Sequence, residues 1–190
     1  MAEEGNDRPH RLFDRLLEKR TILLSEPVMP ESTERVVAQL LYLDAEDGKK
    51  PIRFFLNCPG GSITDGFAIF DTVRMIRAPV TTLCTGLAAS MGTILMMSPT
   101  DKKRRLTLPN ARFMIHQPSS TYRGVASDVE IGAREILKMR DRLIQVYVDE
   151  CGHSADKVKA DINRDFWMTA EEAVDYGITD RVVRHAGDVD

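Results

Sequence analysis

The sequence predicts an α/β fold organised around a mainly parallel sheet, and three observations carry that reading. Short apolar runs of strand type alternate with segments of helical period from Thr21 to Cys84 and again beyond it. The intervals between the runs are long enough for right-handed helical crossovers, the connection that joins neighbouring parallel strands. Two glycine-bearing turns, Pro59-Gly60-Gly61 and Gly86 to Ser90, fall at the carboxyl ends of such runs, where sheets of this class present ligands.

Each element has its own signal. Asp7 followed by Arg8-Pro9 offers a cap and a first-turn proline, and Leu12, Phe13, Leu16 and Leu17 recur at helical spacing, so a short amphipathic helix runs to about Arg20. Thr21 to Leu24 reads as strand, residues 32 to 45 as helix with Val36, Val37, Leu40 and Leu41 on one face, and Ile52 to Leu56 as strand. Residues 62 to 77 read as helix, Val80 to Cys84 as strand, and a further helix begins near Ser90. Two short strands, around Arg105 to Leu108 and Arg112 to Ile115, flank the turn signal Pro109-Asn110. From about Ala126 to Glu150 the pattern is one long helix with Ile131, Ile136, Leu137, Leu143, Ile144 and Val148 on its apolar face. Its length exceeds that of an ordinary globular helix. With the polar stretch Ser119 to Gly124 before it, it is expected to project and pack against another subunit. A helix from about Ala155, then a helix capped by Thr169 and ended by Gly177, lead to a final strand near Ile178.

Composition narrows the function classes. At 190 residues and 43% hydrophobic content the chain suits one well-buried domain spanning residues 1–190, without repeat or linker. Lys and Arg number 26 against 29 Asp and Glu, a net charge of -3, so neither nucleic acid nor an anionic membrane is favoured as a partner. The basic run after Asp101 is short and reads as a solvated loop. Cys58, Cys84 and Cys151 are widely separated, with no metal-ligand spacing, and read as reduced structural thiols. The start is acidic without an apolar core, and no apolar stretch of about 18 residues occurs further along, so a cytoplasmic location is expected.

The chemistry centres on a serine and a histidine. Ala88-Ala89-Ser90-Met91-Gly92 is a relaxed form of the G-x-S-x-G elbow, in which small neighbours let a strand turn sharply into a helix with the hydroxyl exposed. A helix N-cap without a catalytic part is the competing use of the same serine. Of the four histidines, only His116 closes an apolar strand. His10 and His185 lie near the termini and His153 sits in a turn after Gly152, where solvated imidazoles are expected. An imidazole suits the removal of a serine proton near neutral pH, although a structural, hydrogen-bonded His116 is the alternative. A carboxylate would complete a triad, and spacing alone selects none of the 29. The order serine before histidine, with any later acid last, argues against an α/β-hydrolase. Pro59-Gly60-Gly61-Ser62 lacks a P-loop lysine; it serves either as a backbone N–H aimed at a carbonyl oxygen or as a plain tight turn.

Four stretches, Asn57 to Thr64, Gly86 to Gly92, Phe113 to Pro118 and Arg164 to Gly177, resemble the ClpP family of Clp protease proteolytic subunits. The resemblance runs in order from about Arg11 to Val183 and includes Asp128 to Leu137. It implies a ClpP/crotonase-like fold, a mainly parallel sheet of repeated ββα/βαβ units with a protruding strand-plus-long-helix handle over about residues 117–150, and an assembly of two stacked heptameric rings. By the same resemblance Ser90 matches the nucleophile, His116 the base and Asp165 the acid of a serine endopeptidase. The amides of Gly61 and Met91 match the oxyanion hole, and Asp128 with Arg164 matches a pair that couples ring contact to triad geometry. No metal or cofactor is implied. The implied substrates are unfolded polypeptides delivered by an AAA+ unfoldase.

Three departures accompany the resemblance. Only the polar segment Met1 to His10 stands where the family carries a longer apolar segment that lines the pore and meets the unfoldase. Val125 replaces a frequent handle glutamine, and Cys58 a common serine. The first two motivate an alternative, a paralogue that completes a mixed ring with a second ClpP-type subunit. Acyl-CoA chemistry on the related crotonase fold would also use the Gly60-Gly61 turn, but explains Ser90 and His116 poorly.

Overall fold

The computed structural model describes residues 8–189, with side chains from residue 12 onward. Asp7, expected to cap the first helix, and residues 1–7 of the polar amino-terminal segment lie outside the described residues.

The elements alternate in chain order: α1 (Arg8–Glu18), β1 (Thr21–Leu24), α2 (Pro30–Glu46), β2 (Ile52–Cys58), α3 (Ile63–Met75), β3 (Val80–Ala89) and α4 (Met91–Met96). Next come β4 (Arg105–Thr107), β5 (Arg112–Ile115), α5 (Ala126–Cys151), α6 (Ala155–Asp161), β6 (Phe166–Met168), α7 (Ala170–Tyr176) and β7 (Arg181–Val182). They form a seven-stranded sheet in which β1, β2 and β3 are successive parallel neighbours. Beyond β3 the sheet forks. Thr82–Cys84 pairs with β4, which leads to β7, whereas Leu87–Ala89 pairs with β5, which leads to the antiparallel β6.

The fork has a local cause. β2 and β3 run in one-to-one register from Ile52↔Val80 to Leu56↔Cys84, but the next partner of β2 is Cys58↔Ala88. Two extra residues of β3 are therefore accommodated as a bulge, a feature that bends a strand and redirects its distal end. Asn57 fills it, accepting a hydrogen bond from the Leu87 N–H at 3.0 Å, while Thr85 Oγ1 donates to the Leu56 carbonyl at 3.2 Å. The bent end of β3 meets β5 instead of β4, and its last residue leads directly into Ser90.

Apolar burial explains the layers. Ile52, Phe54, Leu56 and Cys58 alternate inward along β2 and meet Val36, Leu40 and Leu43 of α2 and Ile69, Phe70 and Val73 of α3 in one cluster. Val80–Cys84 is buried on both faces, as central parallel strands are. On the second face Leu83, Leu106 and Val183 form a smaller cluster with Phe55 and Leu108. Every residue of α4 is buried.

α5 behaves as two different helices. Leu143, Ile144, Val146 and Tyr147 are in the core, whereas Ile131 and Leu137 are 56% and 47% exposed, in keeping with a helix that projects. Four local expectations need correction. The strand expected in the handle is not formed within the chain: residues 117–123, ahead of α5, carry no strand and pair with no neighbouring strand among the described residues. β3 continues to Ala89, since pairing with β5 sustains a stretch of small residues that lacks a strand-like pattern. β6 is a strand that the sequence pattern does not predict. The last strand lies at Arg181–Val182, because Ile178 still belongs to the cap of α7, where its N–H donates to the Ala173 carbonyl.

Candidate active site

Ser90 occupies the hinge between β3 and α4 with φ 53° and ψ -121°, a conformation uncommon for a residue with a side chain. The neighbourhood over-determines it. The Ser90 N–H donates to the Met114 carbonyl of β5 at 2.8 Å, and the Ser90 carbonyl accepts from the Thr93 N–H at 3.0 Å and from Thr93 Oγ1 at 2.6 Å. Thr93 Oγ1 also lies 2.6 Å from the Tyr147 hydroxyl of α5. Because the single Thr93 hydroxyl proton goes to the Ser90 carbonyl, Tyr147 donates to Thr93. Burial pushes the Tyr147 phenol up, which keeps that donor proton in place. Ser90 stands at the N-cap position, yet its side chain caps no amide.

Its hydroxyl instead faces the histidine, with His116 Nε2 2.8 Å from Ser90 Oγ. His116 comes directly after β5. The antiparallel pair Ile115↔Phe166 places Asp165 opposite His116 across the ladder, and Asp165 Oδ1 lies 3.4 Å from His116 Nδ1. This second contact is longer than an ordinary hydrogen bond. The His116 side chain is 28% exposed and that of Asp165 62%. Gln117 ties the two segments together, its N–H donating to the Ile162 carbonyl at 2.7 Å and its side-chain amide to the Asn163 carbonyl at 3.1 Å.

The Gly60-Gly61 turn supplies a donor. The Val28 N–H donates to the Gly60 carbonyl at 2.8 Å and the Ser62 N–H to the Val28 carbonyl at 2.9 Å, the pattern of a parallel bridge centred on Gly61. In such a bridge the N–H of the central residue points away from the partner strand. Gly61 therefore offers its amide to the groove of about 290 Å³ that it lines with Ser62, Ser90, His116 and Tyr122. Met91, first residue of α4, has an N–H with no intrahelical acceptor. Glycine is required in the turn. A Cβ on Gly60, where φ is 101°, would stand 2.7 Å from Ser90 Cβ, and one on Gly61, where φ is 143°, would stand 2.2 Å from the Val28 carbonyl oxygen.

Ser90, His116, Asp165, Gly61 and Met91 thus converge. Asp128, in the first turn of α5, and Arg164, beside Asp165, are both exposed and form no ion pair with each other among the described residues. His185 is exposed, and the side chain of His10 lies outside the described residues. His153, expected to be solvated, is half-buried with its ring 4.4 Å from that of Tyr176 and Nε2 3.0 Å from the Tyr176 carbonyl. Cys58 and Cys84 are buried, and burial pushes the Cys84 thiol up to about 12, well away from nucleophilic reactivity. Asn57, Thr93, Gln117 and Tyr147 hold the backbone around this site, and sequence reasoning does not single them out; only Gln117, next to His116, carries a local signal.

Chemically, the arrangement brings together a hydroxyl with a base at hydrogen-bond distance, an acid behind the base, and two amides positioned to receive a developing negative charge. Comparison with known proteins accords with this geometry. Residues 4–186 match the family described as Clp protease. Over 177 residues the chain is 43% identical to the ATP-dependent Clp protease proteolytic subunit of Deinococcus radiodurans, a match covering 93% of this chain and 86% of that protein.

Proposed function

Since the chain belongs to the Clp protease family, we propose that it is a serine endopeptidase subunit whose reaction is carried by Ser90, His116 and Asp165. The observation that carries the proposal is the 2.8 Å approach of His116 Nε2 to the hydroxyl of a serine held at positive φ. His116 takes the Ser90 proton as Oγ attacks a peptide carbonyl, and the tetrahedral oxyanion is received by the Gly61 and Met91 amides. The protonated imidazole, oriented by Asp165, gives its proton to the leaving amine. Water, activated by the same histidine, then releases the acyl group. The substrate lies extended beside Gly61 and residues 118–122 and is held by backbone hydrogen bonds, so sequence dependence is weak along most of its length.

In this reading the chain is a single domain, and the exposed half of α5 with residues 117–123 docks a second heptameric ring, with Asp128 and Arg164 at that contact. Unfolded polypeptide enters from an AAA+ unfoldase, in the cytoplasm. Among the described residues no helix is long and apolar enough to cross a membrane. The test is labelling of the purified protein by a fluorescent fluorophosphonate beside Ser90→Ala, with the particle mass measured in solution. Labelling confined to wild type, on a particle of about fourteen subunits, is the expected outcome. Hydrolysis in Ser90→Ala falls by about 10⁴-fold or more, and equal labelling of the variant refutes the assignment.

A second reading rests on the 3.4 Å separation and 62% exposure of Asp165. The acid arm then aligns only in a mixed assembly with a second ClpP-type subunit. An unlabelled single ring that becomes labelled on adding such a subunit would select it.

A further inference from the structure

The acid of the proposed triad sits on a short segment between two fixed points. Asp165 is 62% exposed, so its distance from His116 follows the path of the backbone from Asp161, the last residue of α6, to Phe166, the first of β6. One side chain reaches both ends. Tyr176, the last residue of α7 and 7% exposed, donates from its hydroxyl to Asp161 Oδ2 at 2.8 Å, and its ring centre lies 6.0 Å from that of Phe166. We propose that Tyr176 is a positioning residue for the acid of the triad: by gripping Asp161 and Phe166 it sets where Asp165 stands relative to His116. The proposal rests on the peptidase reading above and extends its machinery to α7.

Three observations single out this grip. Asp161 ends α6, where the unpaired carbonyls of the last turn oppose a carboxylate. Two donors offset that cost at one oxygen, Lys157 Nζ at 2.7 Å and the Tyr176 hydroxyl. Second, the tyrosine ring has little freedom to swing away. The His153 ring packs edge-on against it with centres 4.4 Å apart, and Lys157 Nζ lies 5.1 Å over its face. His153 Nε2 also lies 3.0 Å from the Tyr176 carbonyl and is the donor there, since a carbonyl only accepts. Burial and the Asp161 carboxylate push the Tyr176 phenol up, which keeps its donor proton in place. Third, the same segment is tied to the base on its other side, because Gln117 donates to the carbonyls of Ile162 and Asn163. A displacement of Asp161 therefore passes to Asp165 through only three residues. Tyr176 does not line the groove beside Ser90, so it acts on the acid and not on the bound peptide.

The test is a kinetic double-mutant cycle on the assembled protein. Tyr176→Phe, Asp165→Asn and the pair are compared with wild type on a fluorogenic peptide, each rate divided by the concentration of Ser90 that a fluorophosphonate labels at completion. Tyr176→Phe keeps the ring and its packing and removes the hydroxyl. It is expected to lower kcat about 3- to 10-fold, with KM within about twofold of wild type. In the Asp165→Asn background the same change is expected to cost less than about twofold, because no charge is left to aim. Equal losses in the two backgrounds, the outcome of a merely structural role, or a kcat unchanged by Tyr176→Phe, overturn the proposal and leave the peptidase reading standing. Should Tyr176→Phe not assemble, Asp161→Ala removes the acceptor of the same bond and enters the same cycle with the same expectations. A wild-type kcat in Asp165→Asn refutes the assignment of the acid, and this proposal with it.

Discussion

The two arms of the candidate site are built to different standards. The serine arm sits on the core: Ser90 is fixed by the Met114 carbonyl, by two bonds from Thr93, and through Thr93 by a fully buried tyrosine. The acid arm is a surface loop, with Asp165 62% exposed and 3.4 Å from His116, steadied by the two hydrogen bonds of Gln117. A strained conformation persists only where its surroundings over-determine it. The chain therefore invests its packing where the backbone is unfavourable and leaves the electrostatic partner adjustable. If the proposed ring contact forms at the projecting half of α5 and at Arg164, it would reach this looser arm first.

The comparison breaks most severely if the firm arm is disturbed. Gly60→Ala places a methyl 2.7 Å from Ser90 Cβ and 2.8 Å from the Ala89 carbonyl oxygen, at a φ of 101° that alanine resists. Displacement of a nucleophile by about 1 Å costs about 100-fold in rate, so peptide hydrolysis is expected to fall by at least that factor, with a lowered Tm. Near-normal hydrolysis by a folded Gly60→Ala would show that the elbow tolerates movement and that the serine arm is not rigid.

Asp165→Asn tests the other arm and is expected to do less. In a buried triad the corresponding change costs about 10⁴-fold. At Asp165, exposed to water and farther from the imidazole, the expected loss in kcat/KM is about 10- to 100-fold, because solvent screens the charge. The loss should be greater in the assembled particle than in dissociated protein if assembly tightens the loop. An equally small loss in both states would mean that the acid arm is loose by design and does not respond to ring contact.

The same contrast separates what could be read from the sequence. Ser90 and His116 are legible because their signals are local: small residues around a serine at a strand end, and a histidine closing an apolar strand. The alternation of strands and helices is legible for the same reason. Asp165 could be assigned only through family resemblance, since its place opposite His116 depends on the antiparallel register of β5 with a three-residue strand too short to show any periodicity. The bulge opposite Asn57 is a product of strand pairing, and the Tyr147–Thr93 bond joins residues 54 positions apart. Neither leaves a trace in a window of ten residues. In the long helix the apolar face is continuous in sequence, yet its two halves meet different surroundings, a distinction that periodicity alone does not carry.

The smallest expected effect on activity concerns an ion cluster that anchors the buried end of α5. Glu150 accepts from Arg74 of α3 at 2.6 Å and from Arg105 of β4 at 2.5 Å, and Arg105 is 1% exposed. Burial pushes the Glu150 carboxyl up, but the hydrogen bonds and charges of the two arginines outweigh it and hold the group below the usual glutamate value of 4.5. A carboxylate with a depressed folded-state pKa contributes stability above its unfolded pKa and loses it as pH falls through the folded value. Glu150→Gln keeps one acceptor where two arginines need one each, and is expected to destabilise the protein by about 1.5–3 kcal/mol at neutral pH. In denaturant titrations the two proteins should converge below pH 4.5, where wild type loses the same charge. A difference that persisted unchanged into acid would assign the loss to packing, and the buried end of α5 would then be held by its apolar contacts and the Tyr147 bond without help from the ion cluster.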